Sequence, residues 1–111
     1  MATLQYSVTR SGNISFISIG GSLDAKTSPM LNSKFEEELK KSPNIIIINM
    51  KNLDYIASAG LGILISLNEK MNSRKKDLRL CEASEKVRKI FKALGFDTLF
   101  SFYKTEKDAS K

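Results

Sequence analysis

The most informative absence in this sequence is that of histidine, which occurs nowhere among its 111 residues. Histidine is the usual proton shuttle near neutral pH and the commonest metal ligand in proteins. Its absence excludes a Ser-His-Asp triad, a zinc site and a His-dependent phosphotransfer. Because the sequence also lacks a P-loop and its carboxylates are scattered, we predict a protein that is not an enzyme and that holds no metal or cofactor.

Cysteine and long apolar runs are equally scarce. The single cysteine, Cys81, cannot form an intramolecular disulfide, and its place in "LRLCEA" predicts a small buried thiol at the end of a strand. No apolar run approaches the roughly 18 residues that span a bilayer, and "MATLQYSVTR" lacks the apolar core of a signal peptide. We therefore expect a cytoplasmic protein without a membrane partner.

Tryptophan is absent and aromatic residues make up only 8% of the chain, which bears on its positive charge. A net charge of +6 makes nucleic acid a candidate partner. The basic residues are dispersed in separate groups, however, and no aromatic residues alternate with them to stack on bases. Direct nucleic-acid binding is therefore not expected.

What the sequence does contain is the pattern of an α/β domain. "LQYSVT" and "ISFISI" alternate and are joined by "RSGN", which predicts a β-hairpin. Apolar residues then recur every four positions in "SPMLNSKFEEELKKS", so a first helix is predicted with Ser28 as its N-cap and Pro29 at its first position. The continuous apolar run "NIIIINM" predicts a central strand, parallel to the strand that ends near Gly20.

The second half of the sequence continues the alternation of strands and helices. "AGLGILISLNEKMNSRKK" predicts a second helix that leaves Ile63 and Leu67 off its inner face. The residues predicted on that inner face are Leu61, Leu64, Ile65 and Met71. "DLRLCEA" is predicted as a strand, followed by a helix that Ser84 caps and Gly95 ends. A short strand in "TLFSFYK" completes the order.

These elements predict a single α/β domain over residues 1–111. Its mixed sheet has about five strands packed with about four helices, and the polar tail from about residue 105 is expected to be poorly ordered.

Open α/β sheets place their sites where strands end and loops lead into helices. Two such loops, "GGSLDAKTSP" and "DYIASAGLG", are expected side by side because of right-handed crossovers. Asp24, Thr27 and Ser28 would then lie near Ser58. The hydroxyl of Ser58 stands among tiny residues at a strand-to-helix junction, where it either caps the helix or is reached by another molecule.

The stretch "LDYIASAGLGILISL" resembles the signature of the anti-sigma factor antagonists, the small single-domain members of the STAS fold. That signature runs roughly Asp-Ser-Ser/Ala/Thr-Gly-Leu-Gly after a strand. "GGSLDAKTSPMLNSKF" is similar to the family's Gly-x-Leu-Asp segment, with Asp24 as the matching aspartate. The resemblance covers nearly the whole chain, including the spacing of the later elements.

The resemblance implies a phosphorylation switch that controls transcription. Ser58 matches the serine that a partner phosphorylates, and this partner is both a serine kinase and an anti-sigma factor. The unphosphorylated protein is expected to bind the partner and free the sigma factor, and a serine phosphatase resets the switch. The residues expected to bind the partner are Asp24, Thr27, Ser28, Ala57, Ser58, Ala59, Gly60, Leu61, Gly62, Ile63 and Leu67.

Ala57 stands where the family usually has an aspartate. This leaves open a second interpretation, a STAS interaction module without an active phosphorylation switch, accessory to a transport or signalling complex. Simpler roles also stay open: Asp24 as a turn residue, and Ile63 and Leu67 as core residues.

Overall fold

Residues 3–111, which the computed structural model describes, fold into one mixed sheet with helices packed on it. In chain order the elements are β1 (Leu4–Ser11), β2 (Ile14–Leu23), α1 (Ser28–Lys40), β3 (Ile45–Ile56), α2 (Ser58–Ser73), β4 (Asp77–Cys81), α3 (Glu85–Ala93), β5 (Ser101–Tyr103) and α4 (Glu106–Ala109). The sheet order is β1-β2-β3-β4-β5, with β1 antiparallel to β2 and the other neighbours parallel. The predicted α/β fold, with "NIIIINM" in the central strand, is confirmed.

The two faces of the sheet bury two cores of unequal size. Ile46 and Ile48 of β3 belong to the larger core, which also receives the apolar side chains of α1, α2 and α3. Ile47 points to the opposite face, because successive residues of a strand alternate. There it packs in a smaller core with Cys81 and with Ala109 of α4. The predicted burial of Cys81 is confirmed.

The central strand is longer than the apolar run that predicted it. Beyond Met50 its buried residues, Leu53 and Ile56, are spaced by three instead of two. The pairing of β2 with β3 is interrupted by irregularities between Ser18 and Gly20 and between Gly21 and Ser22. Bulges of this kind insert extra residues and hide the alternation that marks a strand. The extension carries β3 to the residue before Ala57.

The buried face of α2 differs from the predicted one. Leu67 is 2% exposed and belongs to the larger core, whereas Ile65 is only half-buried. The polar residue Asn68 is also buried on this face, which is therefore rotated toward Leu67. The prediction that Leu67 lies off the inner face, free to contact a partner, is wrong. Ile63 is half-buried and packs against the core from its margin.

The ends of α3 follow the predicted local rules, whereas the start of α1 differs from the prediction. Ser84 caps α3 by accepting a hydrogen bond from the Val87 backbone N–H at 3.1 Å, as predicted. Gly95 follows the helix with a φ of 83°, which favours glycine. The N-cap of α1 is Thr27, and Ser28 is already helical, so the prediction of Ser28 as N-cap is wrong.

The last residues form an element where the sequence predicted a polar tail of little order. Thr105 caps α4 by accepting a hydrogen bond from the Asp108 N–H at 3.0 Å. Arg79 of β4 donates to the backbone oxygens of Ala109 at 2.7 Å and Lys111 at 2.8 Å. These contacts hold α4 against the sheet. Among the helices of residues 3–111, none is long and apolar enough to cross a membrane.

Glu38 is a fully buried carboxylate, and we expect it to make stability fall in acid. Burial raises its pKa, but hydrogen bonds from Lys41 at 2.9 Å and Ser15 at 3.0 Å outweigh burial, so the pKa of Glu38 is lowered below its ordinary value of 4.5. A lowered pKa stabilises the fold above the unfolded-state pKa, and this contribution is lost as the pH falls through the folded-state pKa.

Urea unfolding of the wild type and Glu38→Gln at pH 7 and in the acid range checks this expectation. The wild type should lose more of its unfolding free energy on acidification than Glu38→Gln. Ser15→Ala removes one of the two donors. On acidification it should lose less unfolding free energy than the wild type but more than Glu38→Gln. Equal losses in the wild type and Glu38→Gln would contradict the assignment.

Candidate functional site

The candidate site is the junction where β3 ends and α2 begins. Ala57 is the N-cap, with extended backbone angles of φ −97° and ψ 173°, and its methyl group offers no capping oxygen. Ser58 is the first residue of the helix and its side chain is exposed. The prediction that Ser58 caps the helix is therefore wrong. Its hydroxyl is turned to solvent at the helix start.

The backbone fixes this junction to the end of β2. The Ala57 N–H donates to the Leu23 carbonyl oxygen at 2.8 Å, and the first helical hydrogen bond runs from the Leu61 N–H to the Ala57 oxygen at 3.0 Å. The N–H groups between them lie in the first turn and have no acceptor within the helix. No acidic side chain occupies the first turn. The helix therefore presents free donors and the positive end of its dipole around Ser58.

The two glycines of this segment, Gly60 and Gly62, have different surroundings. A Cβ on Gly60 would lie 2.6 Å from Cγ of Leu23 and 2.8 Å from its carbonyl oxygen, closer than real Cβ atoms approach. Gly60 thus lets α2 pack directly on the end of β2. A Cβ on Gly62 would meet no atom within 4 Å, and Gly62 is exposed. Packing among the described residues does not require a glycine at this second position.

We therefore expect alanine substitutions at the two glycines to change stability in opposite directions. Gly60→Ala should lower the free energy of unfolding by about 1–3 kcal/mol, because an overpacked contact must shift Leu23. Gly62→Ala should raise it by about 0.5–1 kcal/mol, because alanine is the better helix former. Urea unfolding of both variants measures the difference. Destabilisation by Gly62→Ala would show that position 62 has an internal packing role.

The loop after β2 is held in shape by the side chain of Asp24. Its Oδ1 accepts hydrogen bonds from the backbone N–H of Lys26 at 2.9 Å and of Thr27 at 3.0 Å. The Thr27 N–H is the main cause that lowers the pKa of Asp24 below its ordinary value. This is the local bonding of an Asx turn. Asp24 thus shapes the loop, and its side chain is partly exposed.

Thr27 and Ser28 are turned inward. They are 8% and 3% exposed. Thr27 Oγ1 donates to the Ser22 carbonyl oxygen at 2.8 Å, and Ser28 Oγ donates to the Asp24 carbonyl oxygen at 2.5 Å. Both hydroxyls are used inside the loop, so the burial of Thr27 and Ser28 does not support the expectation that these residues bind a partner.

The remaining predicted residues divide into an exposed and a buried group. Ala59 and Gly62 are exposed beside Ser58, and Ile63 is half-buried. Leu61 is 2% exposed and anchors α2 in the core. The loop of Asp24 and the start of α2 are joined through Leu23, as the topology predicted.

Two exposed apolar residues near the site were not predicted from the sequence. Met30, in the first turn of α1, is 46% exposed, and Tyr55, near the end of β3, is 47% exposed. Both belong to elements that start or end at this edge of the sheet. Their exposure beside the two loops makes them candidates for contact with a binding partner. The signal available in the sequence was their position beside the two loops.

Comparison with known proteins now defines the family. A family model for the STAS domain matches residues 5–109. This chain belongs to the STAS domain family. Among its curated relatives is an anti-sigma F factor antagonist of Paenibacillus polymyxa, 22% identical over 107 residues, which are 96% of this chain and 92% of that protein.

Solved structures share the fold of this STAS domain. An anti-sigma factor antagonist from Mycobacterium paratuberculosis matches with a TM-score of 0.88 at 24% identity, over 97% of this chain and 92% of that one. The Bacillus cell fate determinant SpoIIAA in its phosphorylated form matches with a TM-score of 0.73 at 19% identity, over 96% of each chain. At these identities the likeness concerns the fold alone.

Proposed function

We propose that this STAS domain is an anti-sigma factor antagonist switched by phosphorylation of Ser58. In its unphosphorylated form it binds a partner that is both an anti-sigma factor and a serine kinase, so that the sigma factor is released. Phosphorylation by that partner ends the binding, and a serine phosphatase restores it. The observation that carries this proposal is the exposed hydroxyl of Ser58 at an uncapped helix start.

The helix start can hold a phosphate without rearrangement of the fold. A phosphoserine carries a charge of about −1.5 to −2 at neutral pH. At Ser58 this charge would meet the free N–H groups and the positive dipole end of α2, which favour anions. The modified domain should therefore stay folded, while a surface docked over the junction would face a dianion.

The surface around Ser58 suits the close approach of another protein. Gly62 and Ala59 keep the exposed side of the first helical turns low, so that a partner backbone can come near. Met30 and Tyr55 offer exposed apolar area, and Ile63 adds a half-buried edge. Met30 and Tyr55 thus join Ile63 as the proposed apolar contacts in place of Leu67, because Leu67 is buried in the core.

Ala57 favours a second candidate, a STAS interaction module without an active switch. Ala57 is the N-cap position, where an aspartate would accept a hydrogen bond from the first turn. The family's usual aspartate would therefore both cap α2 and place a carboxylate beside the acceptor hydroxyl. Its replacement by alanine removes a group that a kinase or phosphatase could use, and would leave constitutive binding.

Mass spectrometry of the protein recovered from its native cells separates the two candidates. The switch requires phosphate on Ser58 of the wild type. The Ser58→Ala variant should carry no phosphate at this position. Ser84 serves as an internal control, because it is also an exposed serine at a helix start. Phosphate on Ser84 alone, or on neither serine under all growth conditions, would favour the constitutive module.

A further inference from the structure

The outer edge of β1 is long and unprotected. β1 has eight residues and lies at one end of the sheet order, with no strand on its outer side among residues 3–111. Proteins usually blunt such an edge with proline, lysine, bulges or a short strand. The sequence "LQYSVTRS" contains no proline, lysine or acidic residue. Its one charge, Arg10, is tied to the chain by a hydrogen bond of 3.2 Å to the Lys41 carbonyl oxygen.

The opposite edge is different. β5 has only three residues and leads directly to the capped helix α4. A strand of that length offers few backbone hydrogen-bonding groups to an additional strand. The free edge of the sheet that can accept a full strand is therefore β1.

The register with β2 fixes which backbone groups of β1 face outward. The Ser22 N–H donates to the Thr3 oxygen at 2.8 Å, and Leu4 lies opposite Gly21. Thr3 therefore bonds toward β2, and every second residue after it does the same, because strand residues alternate in the direction of their N–H and C=O groups. The residues whose N–H and C=O groups point away from β2 are Leu4, Tyr6, Val8 and Arg10.

We propose that the chain forms a homodimer in which β1 pairs antiparallel with β1 of a second copy, with Ser7 on the twofold axis. In this register Tyr6 lies opposite Val8 of the second copy, and Leu4 lies opposite Arg10 of the second copy. It is the antiparallel register that engages all four outward residues of both strands, since a shift by one pair in either direction leaves Arg10 or Leu4 without a counterpart. The two sheets then join into one.

The side chains of β1 match this register. Tyr6 is 38% exposed and would be covered by Val8 of the second copy. An aromatic residue opposite a β-branched residue is a favourable cross-strand pair. Each Arg10 faces an uncharged Leu4, so no like charges meet. Ser7 meets Ser7 on the axis without steric or electrostatic conflict. This self-complementarity favours a second copy over an extended segment of a different protein.

The twofold axis through Ser7 allows a charge-swap experiment. Ser7 is exposed, so lysine or glutamate there should leave the fold intact, which thermal melting by circular dichroism verifies. Directly opposed residues have Cβ atoms about 5 Å apart. In a dimer of Ser7→Lys alone, or of Ser7→Glu alone, two like charges face each other across the axis. Each variant should therefore weaken dimerisation on the order of tenfold. An equimolar mixture of the two variants should restore a dimer containing one copy of each.

Sedimentation equilibrium over a concentration series provides the readout, with Thr9→Lys as the matched control. Thr9 is also exposed and lies on the same face of the same strand, but in this register it faces the uncharged Gln5 of the second copy. Thr9→Lys should therefore dimerise like the wild type. A wild-type chain that sediments as a monomer throughout, or a dimer that survives both Ser7 variants alone, overturns the proposal.

Discussion

Ser58→Asp should keep the fold and lose the partner. Ser58 is the first residue of α2 and not its cap, so aspartate there costs no capping bond. Its carboxylate meets the positive end of the helix, an interaction worth about 0.3–1 kcal/mol. The melting temperature should therefore equal or slightly exceed that of the wild type. Under the proposed function, affinity for the anti-sigma factor should fall on the order of tenfold, because the charge lies where the partner is proposed to dock.

Ser84→Asp is the matched control for this experiment. It adds the same charge at the start of α3, and aspartate there can still accept the Val87 hydrogen bond that Ser84 accepts now. A binding titration with all three proteins should place the loss at Ser58→Asp alone. Equal weakening by both variants would reduce the effect to net charge, and unchanged binding by Ser58→Asp would contradict docking over the start of α2.

Leu67→Ala is the substitution with the largest expected effect on stability. Leu67 is 2% exposed in the core beneath α2, so its truncation should lower the free energy of unfolding by about 2–5 kcal/mol. Ile63→Ala, four residues earlier at the margin of the core, should cost clearly less. Urea unfolding compares the two. A small loss for Leu67→Ala together with weakened partner binding would return Leu67 to the docking surface.

Periodicity predicted the elements of this fold well wherever one face alone is buried. α1 and α3 were found with nearly their true bounds, and Ser84 and Gly95 marked the ends of α3. In α2 the buried face includes Leu67, which periodicity had predicted to lie off it. Asn68 is polar, yet the structure buries it beside Leu67. A buried polar side chain shifts the apparent hydrophobic face of a helix, and the sequence offers no means to recognise it.

The site was predicted in its location more accurately than in its details. The two loops at the carboxyl ends of β2 and β3 follow from topology alone, and they do meet through Leu23. The cap at Ala57 was missed because alanine has no capping oxygen, and cap prediction relies on side-chain chemistry. Gly60 and Gly62 look alike in the sequence, and only the position of Leu23 distinguishes them.

The buried cysteine has a practical consequence for spectroscopy. Burial, together with the carboxylates of Glu106 and Glu82, raises the pKa of the Cys81 thiol to about 12. The reactive form of cysteine is the thiolate, so Cys81 should resist maleimides and other thiol reagents while the protein is folded. Since the chain has no other cysteine, a thiol introduced at an exposed position such as Ser33→Cys would take a fluorophore or spin label selectively. Cys81 therefore need not be removed before labels are introduced for distance measurements.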